Sequence, residues 1–300
     1  MVNDNYLSYR LAQVLSRALP RRFSYWIALR LSDRFFAKDI QGRRAVMTNL
    51  ATILRARNVN ASEETLAQMA RKTFQLFGKY LVDFFKFSRM TAAEVKKLVS
   101  IEHLDYLEQG RALGKGVLLI TAHIGNWELG GAILAALGYR VNVVFLPQRL
   151  EKINKLFEKQ RKQRGMQLIP IGQAARGVLQ AFQRKECVGM LADRDFTAHR
   201  NPIAFFGKPA LLSSGPPRMA LHTKAPIVPL FVLRQNDDTF LLRFYPPILV
   251  SDRSTLSDIE TQISAIMEKE IAQNPTQWFI FENFWNENNA ETRRSDGGGE

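Results

Sequence analysis

The sequence predicts an α/β fold in which a mostly parallel central sheet is flanked by helices, preceded by an amphipathic helical region. Two observations carry this. From residue 117 onward, short apolar runs of strand length alternate with helix-period segments, which is the order of βαβ units. Before residue 100, apolar residues recur at three- and four-residue steps, the period of helices. Composition agrees: 46% of the 300 residues are hydrophobic, enough to bury a sizeable core and too many for a disordered chain.

Residues 1–100 form the amphipathic helical region. In Tyr6–Leu19, Leu7, Leu11, Val14 and Ala18 recur at helical spacing with Leu15 beside them, and Pro20 breaks the run. Phe23–Phe36 follows, with Trp26, Ile27, Leu29, Leu31, Phe35 and Phe36 interleaved with arginines. The net charge is +14, and residues 1–57 hold eleven Lys/Arg against three acids, a net of +8. Cations beside Trp, Phe and Leu suit an anionic bilayer interface. The same spacing also describes helices that turn an apolar stripe to the core. Ser62-Glu-Glu-Thr65 starts another helix. It carries Phe74, Phe77, Tyr80, Leu81, Phe84, Phe85 and Phe87, a stripe that either packs the core or lines a groove. Met90–Glu94 starts a short helix by the same capping pattern.

Residues 101–285 form the α/β core, integrated with the helical region into one domain. Strands are expected at 117–122, 140–146, 166–171, 187–192, 226–233 and 239–244. Helices are expected at 128–137, 150–163, 174–184 and 256–273. Residues 286–300 are polar and read as a disordered tail. The single cysteine, Cys187, excludes an internal disulfide and sits in an apolar run as a core residue. Spanning a bilayer takes roughly 20 consecutive apolar residues. No such run is present and no secretory leader is evident, so attachment on the cytoplasmic side, peripheral rather than spanning, is the expectation. The charge permits nucleic acid as a partner. Zinc-finger spacing, an RNA-recognition signature and a compact basic recognition helix are all missing, so no nucleic-acid partner is expected. His123, His199 and His222 lack metal-ligand spacing, so no metal is expected.

The candidate chemistry lies in Thr121-Ala-His-Ile-Gly-Asn-Trp-Glu128. His123 follows an apolar strand, where α/β folds place their ligands. Gly125 and Asn126 allow a tight turn, and Glu128 opens a helix. Across such a turn, side chains five apart can converge: the carboxylate holds one imidazole nitrogen and the other acts as general base toward a hydroxyl. A histidine satisfied in its loop is the alternative. Spacing alone does not decide, because His103 and Glu108 repeat it. That pair lies in a polar helical stretch, Ile101–Gln109, with no strand before it. Five residues on a helix leave the side chains about 140° apart, so His103 reads as structural.

The segment Gly114–Glu128 resembles the late lipid A acyltransferases of Gram-negative bacteria, the lauroyl/myristoyl acyltransferase family, relatives of the glycerolipid acyltransferases. Further motifs resemble the family in order: Arg43-Arg44 with Asn49-Leu50, Leu191-Ala-Asp-Arg-Asp195, Phe205-Phe-Gly-Lys-Pro-Ala210, Ala225–Phe231, and Asn274-Pro-Thr-Gln-Trp278 through Trp285. The resemblance covers roughly residues 5–285. It implies a glycerolipid-acyltransferase-like fold. It also implies that His123, paired with Glu128, deprotonates a hydroxyl of an anionic glycolipid acceptor in the membrane, a lipid A precursor first of all. The donor is an acyl thioester of acyl carrier protein or coenzyme A, with no further cofactor, and the place is the cytoplasmic face of the inner membrane. Arg161 resembles a family arginine in distance from the motif glutamate. Arg161, Arg164 and the weaker candidate Arg149 can bind acceptor phosphate or help the oxyanion, or face solvent. Asp193 and Asp195 can orient the acceptor or the arginines, or form structural ion pairs. Phe205, Phe206 and Gly207 can shape an acyl pocket, or pack the core. The chain departs from the family at its front, where an arginine-rich amphipathic segment replaces a hydrophobic anchor. That departure leaves other glycolipids and lysophospholipids open as acceptors.

Overall fold

A computed structural model describes residues 6–87, 90–148, 150–195 and 202–286. The candidate Arg149, His199 and residues 287–300 of the expected tail lie outside the described residues. The strands are β1 (Val99–Glu102), β2 (Val117–Thr121), β3 (Val141–Phe145), β4 (Gln167–Pro170), β5 (Cys187–Leu191), β6 (Ile203–Phe205), β7 (Lys208–Ala210), β8 (Ile227–Arg234) and β9 (Phe240–Phe244). Seven of them form one sheet in the order β1-β9-β8-β2-β5-β3-β4, and β6 and β7 form a separate hairpin. β8, β2, β5, β3 and β4 run parallel, and β9 turns back antiparallel to β8 with β1 parallel to it. The sheet is therefore mostly parallel, as the alternation of strand and helix predicts. β8 is buried along its whole length, as a strand covered on both faces should be.

The helices are α1 (Tyr6–Ala18), α2 (Arg21–Lys38), α3 (Ile40–Ala56), α4 (Glu63–Lys86), α5 (Ala92–Lys97), α6 (Leu104–Ala112), α7 (Trp127–Ala136), α8 (Glu151–Lys162), α9 (Ala174–Gln183), α10 (Gly215–Thr223) and α11 (Leu256–Gln273). Successive residues of β2 point to opposite faces. Leu118 and Ile120 pack with α9, α10 and α11, while Val117 and Leu119 pack with α5, α6 and α7. Caps set several boundaries. Ser62 accepts from the Thr65 amide, and Thr91–Glu94 and Thr255–Asp258 form reciprocal capping boxes. Asp39 ends α2 and caps α3 by accepting from Gly42 N at 2.8 Å.

Residue 100 lies inside β1, a strand of the main sheet. That strand also precedes His103, which takes a left-handed conformation (φ 59°) and starts α6 rather than lying within a helix. Glu108 still turns away from it, accepting from Arg111 at 2.8 Å and from the Tyr139 hydroxyl at 2.5 Å, so His103 stays outside the chemistry.

For α1 and α2 the stripe is exposed rather than turned to the core. Their large apolar residues face outward: Leu7 is 73% exposed and Trp26 53%, with Leu11, Val14, Phe23, Leu31 and Phe35 alongside. Their buried faces are small or polar instead: Gln13 and Ser16 on α1, and Ser24, Tyr25, Ala28 and Ser32 on α2. Small residues let α2 sit close on α4; a Cβ on Gly78 would stand 2.3 Å from Ser32 Oγ. The apolar stripe seen in the sequence is therefore not core.

Candidate active site

β2 is the middle strand of the sheet, and β5 lies beside it with Thr121 opposite Leu191. Two residues past that pair, each chain reaches a polar group, His123 on one and Asp193 on the other. Parallel register therefore sets them side by side at the carboxyl ends of adjacent strands. Asp193 is fully buried. Its Oδ1 lies 2.8 Å from His123 Nδ1, and its Oδ2 accepts from the His123 backbone N–H and the Trp278 indole N–H, each at 2.9 Å. Burial alone would raise this carboxyl. The charge of His123 and these hydrogen bonds outweigh it and hold the group below the usual carboxylate range. An ionised Asp193 makes Nδ1 the protonated nitrogen, which leaves Nε2 as the atom that can take a proton.

The loop after His123 is fixed from two sides. Phe279 N donates to His123 O, Gly125 N donates to Gln277 O, and Asn126 N donates to Val232 O. Gly125 has φ 62°, and a Cβ there would stand 1.9 Å from Val232 O, so backbone approach as well as turn geometry requires glycine. Asn126 caps α7 by accepting from Leu129 N.

Glu128 does not hold the imidazole, contrary to the expected pairing. In the first turn of α7 its side chain meets α8, where Arg161 Nε and Nη2 donate to it at 2.5–3.1 Å. Both side chains are nearly buried. Burial opposes the charge of Arg161, but the Glu128 carboxylate and its hydrogen bonds raise the guanidinium above its ordinary range. Arg161 also lies over the Phe145 ring, 5.4 Å from its centroid. The pair stands close to the His123 site: Trp127 stacks on Tyr80 at 4.4 Å and meets the His123 ring edge-on at 5.2 Å, and the charge of Glu128 adds to burial in raising the Tyr80 hydroxyl.

The remaining candidates part company. Arg164 does not join Arg161. It lines a cavity of about 340 Å³ with Met90, Tyr139, Arg140 and Gln167, at the starts of β3 and β4 and hence at the opposite edge of the sheet from His123. Burial lowers its guanidinium to about 10, and its Nε and Nη2 have no hydrogen-bond partner among the described residues. A desolvated cation without a counter-ion opposes folding. Arg164→Met is therefore expected to leave the melting temperature unchanged or raise it by a few degrees, measured by thermal unfolding at pH 7. A clear loss would show that the charge is compensated.

Asp195 is buried, and its charge adds to burial in raising the Glu260 carboxyl. Phe205 and Phe206 are buried in the core, and Gly207 takes the β6–β7 turn at φ 71°. Phe205 packs with Trp278, Phe284 and Trp285, and Trp285 Nε1 donates to Phe205 O at 3.1 Å. This motif thus backs the tryptophan that holds Asp193. One sequence signal could have paired Asp193 with His123. Val117–Thr121-Ala-His and Cys187–Leu191-Ala-Asp are apolar strands of equal length ending in alanine and a polar residue.

Fold and site together describe a class: an α/β protein with a histidine–carboxylate pair at the ends of central parallel strands. The chain belongs to the bacterial lipid A biosynthesis acyltransferase family, which it matches over residues 7–287, and it is an acyltransferase. It is 23% identical to a phosphatidylinositol mannoside acyltransferase of Mycobacterium tuberculosis over 297 residues, 96% of this chain and 90% of that one. It is 24% identical to a lipid A biosynthesis acyltransferase of Haemophilus influenzae over 194 residues, 64% and 61% of the two chains. Among solved structures it is similar to a 1-acyl-sn-glycerophosphate acyltransferase from Thermotoga maritima, with 11% identity, a TM-score of 0.41, and coverage of 85% of this chain and 98% of that one.

Proposed function

We propose that this acyltransferase moves a fatty acyl group from a thioester of acyl carrier protein or coenzyme A to a hydroxyl of a glycolipid, with His123 as general base oriented by Asp193. The observation that carries the reading is the Asp193 contact to Nδ1, which reserves Nε2 for the acceptor. Nε2 takes the proton of the acceptor hydroxyl as its oxygen attacks the thioester carbonyl. The tetrahedral intermediate collapses with cleavage of the C–S bond, and the imidazolium returns the proton to the departing thiolate. Ester and free thiol are the products, and thioester and acceptor supply every atom. An aromatic row runs from His123 through Trp127, Tyr80 and Phe279 to Phe77 and Phe281 along α4, packed ring on ring. Glu128 and Arg161 stand beside this row, close enough for their charges to act on the Tyr80 hydroxyl.

The family description supports a lipid A precursor as acceptor. A second reading, a mannosylated inositol lipid, is supported by the alignment of 96% of the chain with an enzyme of that name. Purified protein with a labelled acyl thioester and each acceptor decides between them, and mass spectrometry of lipids from a deletion strain checks the result. Labelling of neither acceptor, with unchanged lipids in the deletion strain, would remove the glycolipid reading altogether.

The outward apolar faces of α1 and α2, set among arginines, support peripheral attachment to an anionic bilayer. No helix among the described residues is long and apolar enough to cross a membrane. Phe23→Ser with Trp26→Ser and Leu11→Ser is expected to lower flotation with vesicles containing phosphatidylglycerol at least tenfold and to leave the melting temperature nearly unchanged. Undiminished flotation would remove this surface from the interface.

A further inference from the structure

We infer that Trp278 is a positioning residue for the reaction. It holds Asp193 in the ionised form and in the orientation that fixes the His123 tautomer. The inference rests on the His123–Asp193 reading. A buried carboxylate has two oxygens to satisfy, and Asp193 is fully buried. Oδ1 faces the imidazole. Oδ2 takes two N–H donors, the His123 amide and the Trp278 indole, so the carboxylate plane is set by three contacts. The amide belongs to the same residue as the imidazole and moves with it. The indole is the one of these donors that comes from outside the histidine, and it brings the carboxylate an independent point of reference.

That point is itself held. Trp278 pairs with Ile124 in an antiparallel bridge, between Gln277, whose carbonyl accepts from Gly125, and Phe279, whose amide donates to the His123 carbonyl. Its ring lies 4.9 Å from Phe284, 6.0 Å from Trp285 and 6.2 Å from Phe205. The aromatic motif at 205–206 and the closing segment at 278–285 thus clamp one indole, and that indole donates to the carboxylate behind the base. A tryptophan whose only work was to fill the core would not need its N–H on the most buried acid of the site. Indole N–H is a donor only, so it cannot compete with His123 for a proton. It stabilises the charged form of Asp193 and not the neutral one.

Trp278→Phe keeps most of the ring and removes the donor. It is expected to lower kcat about tenfold, the scale of one hydrogen bond to a charged group, with KM for the acyl thioester unchanged. A double-mutant cycle separates positioning from packing. In the Asp193→Asn background the same substitution is expected to cost less than twofold, because the charge it served is gone. Equal losses in both backgrounds, or a loss confined to KM, would overturn the inference.

A second measurement does not depend on activity or on Trp278→Phe folding. In protein labelled with ¹⁵N at tryptophan, the Trp278 indole proton is expected to move upfield on Asp193→Asn, as its acceptor loses charge. A resonance that stays in place would overturn the inference equally. If Asp193→Asn itself leaves kcat intact, the His123–Asp193 reading fails. If it cripples transfer and the cycle is additive, only the role of Trp278 fails.

Discussion

Asp193→Asn is expected to lower the rate of acyl transfer by about 10³- to 10⁴-fold while the fold stays intact, the scale seen when a histidine base loses its orienting carboxylate. An amide in that place retains the volume but loses the charge that stabilises the imidazolium. It also presents an NH₂ where His123 Nδ1–H needs an acceptor, so the tautomer with the proton on Nε2 gains and the base is blocked. His123→Ala is expected to cost at least as much, and the double variant no more than His123→Ala alone, because the two residues act as a unit. Glu128→Gln tests the other carboxylate. Its partner is Arg161, nearly buried with it, so its loss leaves a guanidinium short of a counter-charge. Activity and melting temperature are therefore expected to fall together. The loss should match that of Arg161→Met and not add to it. Steady-state kinetics beside thermal unfolding make the comparison. If Glu128→Gln were additive with Arg161→Met and not with His123→Ala, Glu128 would be the partner of the imidazole in solution.

The contrast between the two carboxylates shows what was legible in the sequence. Strand-end placement picks out His123, because period and length identify β2 and the carboxyl end of a strand is local information. The partner is not local. Glu128 is near in sequence, but the helix it opens aims its side chain at α8, whereas Asp193 is 70 residues away and arrives by register between two strands. Register follows from strand order, and the order β2-β5-β3 cannot be read from consecutive segments, since β5 inserts between strands made earlier. Trp278 is further still and reaches the site along no periodic pattern. The N-terminal helices show the opposite limit. Their stripe was legible, but a stripe does not say whether it faces a core or a bilayer. The buried Gln13, Ser16, Ser24 and Ser32 rule out the core, because a core-facing helix would not bury these and expose Leu7, Leu11 and Trp26. Arg161, in the last turn of α8, and Arg164, in the turn just after it, are three residues apart, yet packing sends one to Glu128 and the other to the far edge of the sheet.

Asp83→Ala is expected to produce the largest loss of stability of any single change considered, about 3–5 kcal/mol, the cost of breaking a buried ion pair from one side. For a chain of this size that corresponds to a fall in melting temperature on the order of 10 °C. Asp83 on α4 is fully buried. It accepts from the Tyr25 hydroxyl at 2.6 Å and from Arg234 at the end of β8, with Arg21 Nε 3.5 Å away. Burial and the charge of Asp83 push the Tyr25 hydroxyl far above its ordinary range, so it remains a donor, and it accepts from Arg234 Nη1 at 2.9 Å. Removing the aspartate leaves Arg234, itself 8% exposed, without its main counter-charge. Arg234→Met is expected to cost a similar amount, and Asp83→Leu with Arg234→Met less than the sum of the two, since the buried guanidinium and carboxylate then go together and only the part-exposed Arg21 loses a counter-charge. Equilibrium unfolding by denaturant reads all three, and strict additivity would show that the pair is not coupled. The damage should also reach the chemistry. The backbone N–H and C=O of Arg234 bond the side chain of Gln277 at 2.9 and 3.0 Å, and the Gln277 carbonyl holds Gly125 in the His123 loop. Transfer activity of Asp83→Ala is thus expected to fail at temperatures where circular dichroism still reports native helix. Activity that persists up to the melting transition would show that the His123 loop is held independently of the helical region.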